Sequence, residues 1–130
     1  MILYLVRHGE SLANKNHFHH RPETPLSKEG IGQAKIVAER LKNIEIDFIY
    51  SSPQKRAKQT AEIISKQKNL PVEFWEDLKE IRVPSQVWGK SLNDKEAITV
   101  DKQSLHSFVV GERYSDEETF EELSARGQGV

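Results

Sequence analysis

The chain has 130 residues, a formal charge of −1 and charged side chains at 30% of positions. That suits one domain over 1–130 with a core of its own and leaves no basic excess for nucleic acid as a partner. It has no cysteine, which excludes disulfides, thiol catalysis and cysteine-type zinc sites together. No apolar run approaches the ~20 residues of a membrane span. MILYLV is too short for a signal peptide and lacks a basic n-region, so a soluble cytoplasmic protein is expected.

Residues 2–6, ILYLV, form an apolar run of strand formers, as in a parallel strand covered on both faces. A loop is expected over 9–26, with Pro22 and Pro25 in it. Ser27 can N-cap the next helix by accepting an orphan backbone N–H. Ile31, Ala34, Val37, Ala38 and Leu41 then recur at helical spacing as one apolar stripe. A second strand is expected at 46–50, in IDFIYSSP, and a helix over 53–67 starting at Ser52-Pro53, since proline loses nothing at the first helical position. Ala57, Ala61 and Ile64 give that helix its buried side. LPVEFWEDL reads as a third strand. Strand alternating with helix argues an α/β fold, a parallel-type sheet flanked by helices. The stretch 81–114 is expected to be irregular, and Ser115 with Glu118 is expected to form a capping box opening a last helix with Phe120 and Leu123 on its apolar side.

In such sheets ligands sit beyond the carboxyl ends of the strands. Arg7-His8-Gly9 lies where the first strand exits and Ser51-Ser52-Pro53 where the second exits. Arg56 falls in the first turn of the following helix, where free N–H groups and the helix dipole favour an anion. Two arginines, whose planar forks match phosphate oxygens, converge with a helix start on one histidine. The spacing predicts a phosphate pocket, with phosphate or a small phosphorylated substrate as partner.

The runs LVRHGESLAN, TPLSKEGIGQA and SSPQKRAKQTAEI resemble the histidine phosphatase superfamily, the phosphoglycerate mutase-like family, closely from residue 2 to about 65 and loosely to about 125. The resemblance implies that fold, no cofactor, and hydrolysis of phosphate monoesters through a phosphohistidine on His8. Arg7 and Arg56 would hold the phosphoryl oxygens, and Asn14 would add a hydrogen bond. Glu80 would protonate the leaving oxygen, with Glu76 and Asp77 as nearby competitors. Hydrolysis is favoured over mutase chemistry, because the family's mutases resemble longer chains with an insertion near the pocket.

The resemblance also implies a further buried strand after FEELSAR, ending in a second catalytic histidine; none follows Arg126. The fold is therefore expected to be incomplete at the C-terminus, and a catalytically impaired phosphate-binding module stands as the alternative. His106, in the irregular stretch, is a poor substitute, as are His17, His19 and His20. The HFHH run at 17–20 is expected to be a polar substrate-side loop and not a metal site. An unpaired ILYLV edge recruits another strand, so the chain is expected to be a homo-oligomer through that edge or poorly soluble.

Overall fold

Ser27 caps the helix that carries the apolar stripe, as its position predicts: its hydroxyl accepts from the Gly30 N–H at 3.0 Å. The computed structural model describes residues 1–129. In chain order it has α1 (Leu12–Asn16), α2 (Lys28–Leu41), β1 (Ile49–Ser51), α3 (Lys55–Lys68), β2 (Val72–Phe74), α4 (Lys95–Val110) and α5 (Phe120–Gly127), with short 3₁₀ turns at Glu76–Leu78 and Ser85–Val87. β1 and β2 pair in parallel, Ile49 opposite Val72 and Ser51 opposite Phe74, with α3 as their crossover. Ala38 and Leu41 of α2 meet Ile64 of α3 in the core, and Ile44, Ile46 and Ile49 pack against it. This small α/β unit holds the start of α3 close to the residues after His8.

The structure corrects four expectations. Residues 2–6 are not a strand: among the described residues no ladder forms on them, and Leu3 and Leu5 are 75% and 89% exposed. A strand exists only where a neighbour satisfies its N–H and C=O groups, and the two-stranded sheet lies elsewhere. The loop 9–26 contains α1. Ser11 and Asn14 close a reciprocal capping box at its start, and His17 ends it in the left-handed conformation at φ 57°.

The stretch 81–114 contains α4, a helix of 16 residues that also carries His106. Asp94 caps it, accepting from the Ala97 N–H at 2.9 Å, and Gly111 ends it at φ 78°. Its signal is weak because Ala97 is the one fully buried residue along it. The last capping box is Thr119 with Glu122, not Ser115 with Glu118. Glu118 is instead committed to Arg126, whose Nε and Nη2 each donate to it at 2.7 Å. That pairing holds the Glu118 carboxyl below its ordinary range.

Element boundaries also shift by a few residues. α3 starts at Lys55 after Gln54, with no side-chain cap. No helix among the described residues is long and apolar enough to cross a membrane.

Candidate active site

Glycine is required where the turn after His8 crosses α2. A Cβ on Gly9 would lie 2.3 Å from the Gly30 carbonyl oxygen, and one on Gly30 only 2.0 Å from that of Glu10. Backbone thus touches backbone, and the turn is pinned from both helices. From α3, Thr60 Oγ1 accepts the Gly9 N–H at 3.2 Å and donates to the Arg56 carbonyl at 2.9 Å. From α2, Gln33 Oε1 accepts the Glu10 N–H at 2.8 Å, and the Ser27 hydroxyl donates to Glu10 Oε1 at 2.6 Å.

His8 is half-buried and its two nitrogens have different partners. Nδ1 lies 2.7 Å from the Gly9 carbonyl oxygen, which can only accept, so Nδ1 carries the proton. Nε2 lies 3.2 Å from Arg56 Nε, which can only donate, so Nε2 offers its lone pair. The arrangement leaves the ring one defined nucleophilic nitrogen.

Arg56 is 2% exposed, yet charged. Burial of an ion is tolerated only when its donors are satisfied. Here Nε serves His8, Nη1 the Arg21 carbonyl at 3.4 Å, and Nη2 both Gln54 Oε1 at 2.8 Å and the Glu80 carboxylate. Glu80 keeps most of its own side chain in water, at 59% exposure.

The structure therefore brings His8, Arg56 and Glu80 together. Arg7 and Asn14 border an adjoining hollow of about 360 Å³ with His8, Glu10 and Gln33. Arg7 is exposed, and Asn14 also lines a second cavity of about 570 Å³ that holds Arg56 and Glu80. The two arginines thus approach from different hollows that share Asn14. Asn14 is occupied in the capping box, accepting from the Ser11 N–H at 3.2 Å. Glu76 and Asp77 line the same cavity as Glu80, but Arg56 pairs with Glu80.

Sequence reasoning placed His20 in a polar substrate-side loop and gave it no role of its own. Its ring lies edge-on to His8 with centroids 6.2 Å apart, and its Nε2 sits 2.7 Å from Ser11 Oγ. Because the Ser11 hydroxyl donates to Asn14 Oδ1 at 2.9 Å, the histidine is the donor in that contact. Burial, and then the nearby Arg56 charge, lower the His20 pKa from its ordinary 6.5, so the ring is neutral at pH 7. The Ser11–Asn14 box was the signal available, since a pre-ordered loop after Gly9 fixes the position of the residues beyond it. The other histidines diverge: His17 ends α1, and His19 Nε2 faces Asp101 at 3.3 Å without hydrogen-bond geometry. Among the described residues no group of three or more His, Asp or Glu is placed to hold a metal.

An Arg-His-Gly turn, a buried arginine at a helix start and a carboxylate, set on an α/β frame, define a phosphoglycerate mutase-like protein. The chain belongs to the histidine phosphatase superfamily (branch 1), which it matches over residues 3–130. It is 34% identical over 126 residues to PhoE, an uncharacterized phosphatase of Bacillus subtilis, covering 96% of this chain and 60% of that one. It is 37% identical over 83 residues to the adenosylcobalamin/alpha-ribazole phosphatase of Salmonella typhimurium, covering 62% of this chain and 41% of that one. Among solved structures, a putative alpha-ribazole-5'-P phosphatase of Escherichia coli superposes with a TM-score of 0.77 at 25% identity, covering 95% of this chain and 62% of that one. The chain thus spans about 60% of the length of PhoE and of that structure.

Proposed function

We propose that the protein hydrolyses phosphate monoesters through a phosphohistidine on His8. The observation that supports this most is the buried Arg56, which touches both the lone pair of His8 and the carboxylate of Glu80. In the first step Nε2 attacks phosphorus. The ester P–O bond breaks, and Glu80, which takes up the monoester's own proton as Arg56 turns to the phosphoryl group, passes it to the leaving oxygen. Arg56 transfers its donors from His8 and Glu80 to the phosphoryl oxygens, where charge builds in the transition state. Arg7 and Asn14 serve the same oxygens from the adjoining hollow. In the second step water attacks phosphorus, Glu80 takes its proton, and the P–N bond breaks to release phosphate and neutral His8.

Incubation with a radiolabelled aryl phosphate should leave acid-labile label on the wild type and none on His8→Ala. Equal labelling of the two overturns the reading. A second reading, a module that binds phosphate without turning it over, draws support from Arg56 itself, whose Nε, Nη1 and Nη2 all have protein partners, so that turnover must first break its bonds to His8 and Glu80. Phosphate binding without labelling selects it. A cytoplasmic location belongs to the proposal on sequence grounds alone.

A further inference from the structure

The cavity beside Arg56 and Glu80 is larger than a phosphate needs, about 570 Å³, and its far wall is apolar. Phe18, Ile81, Val83, Trp88 and Leu92 line it. Four of them remain 37–47% exposed: Phe18, Ile81, Val83 and Leu92. Folding has left these side chains facing one shared space, an apolar face in a cavity whose remaining lining is largely charged and polar.

The wall is built by backbone bonding. The Gly89 N–H donates to His19 O at 3.1 Å, the His19 N–H to Lys90 O at 2.9 Å and the Leu92 N–H to His17 O at 2.8 Å, with Phe18 bridged to Ser91. This short antiparallel seam holds Phe18, Trp88 and Leu92 against the cavity. Gly89 sits at φ +75°, and a Cβ there would lie 2.9 Å from the Arg21 guanidinium.

The charges of the wall are mostly spent. Lys79 pairs with Glu76 and Arg126 with Glu118. Arg82 donates to the Asp116 carbonyl at 2.6 Å. Arg21 alone among these cations has no carboxylate, and its Nη2 reaches the Trp88 carbonyl at 3.5 Å. Glu76 and Glu80 are paired in turn, with Lys79 and Arg56, so with charge largely cancelled in pairs a leaving group gains mainly from the apolar side chains.

Resting on the phosphatase reading, we infer that the preferred substrates are monoesters of an uncharged aromatic or other apolar alcohol. The ester group lies against Phe18, Trp88 and Leu92, while phosphate sits at His8 and Arg56. Non-hydrolysable phosphonates test this on the full chain, read by tryptophan fluorescence or calorimetry. Phenylphosphonate should bind at least about tenfold tighter than methylphosphonate, the scale on which apolar pockets discriminate. Phosphonoacetate should bind no tighter than methylphosphonate. Trp88→Ala, read by calorimetry, should shrink the phenyl preference several-fold. Equal affinity for phenyl and methyl, or a preference for phosphonoacetate, overturns the inference while leaving the phosphate site intact. No binding of any phosphonate or of inorganic phosphate overturns the phosphatase reading and this inference with it.

Discussion

Residues 2–6 and residues 9–27 run in opposite senses to their composition. The first is the most apolar run in the chain and lies exposed without ladder partners among the described residues. The second is polar and broken by prolines, yet Ser11 and Ser27 are fully buried, at 0% and 1% exposure. Each has its hydroxyl bonded, Ser11 to Asn14 and His20, Ser27 to Glu10. Hydrophobicity is non-directional and needs a second surface, whereas a reciprocal cap or a glycine crossing is completed by near neighbours. The site is therefore held by polar bonds and a close backbone approach, not by the run that points to it.

That contrast can be broken most severely at the crossing. Gly30→Ala must push Glu10 away from α2 and should destabilise the fold by about 3 kcal/mol, the upper end for overpacking, read by urea unfolding. A loss under about 1 kcal/mol would mean that the turn is free to move. Arg56→Lys keeps the charge and loses the fork, and should weaken vanadate binding by about 1–3 kcal/mol, the range for a charge-assisted hydrogen bond; unchanged affinity places Arg56 outside the phosphate site. Ser11→Ala removes the cap of α1 and the acceptor of His20, and should cost about 1 kcal/mol in thermal unfolding.

A pH effect arises from His20. Its folded pKa lies below its ordinary 6.5, so the unfolded chain takes up the proton first. The contribution is intact above the ordinary value and is lost as pH falls through the folded one. Stability should decline from pH 7 toward pH 5, and His20→Gln should flatten part of that slope; an identical slope in the variant removes His20 as its source.

The smallest stability effect belongs to the apolar run. Leu3→Ala should stay within about 0.5 kcal/mol, as for a surface site. We propose that 2–6 instead acts between copies, since an exposed apolar run with unpaired backbone groups can take up a strand from a neighbour. Light scattering should show a homo-oligomer that Leu3→Glu dissociates. A monodisperse wild-type monomer, together with a cost above about 2 kcal/mol for Leu3→Ala, would show that 2–6 is covered within one chain.

The sequence by itself determined the elements whose causes are local. Ser27 and the stripe to Leu41 specify α2, alternation of strand and helix specifies the parallel pair around α3, and RHG with SSPQKRAKQT marks where His8 and Arg56 stand. These features lie within one turn or one strand, so spacing exposes them. Tertiary structure alone decided that 2–6 would stay unpaired, that the two arginines would border separate hollows, and that Arg56 would choose Glu80 over Glu76 or Asp77. It also set His20 against Ser11 and built the apolar wall from residues 18, 88 and 92. Each of these depends on groups distant in sequence meeting in space, and a hydrogen bond or an ion pair leaves no periodic trace of its partner along the chain.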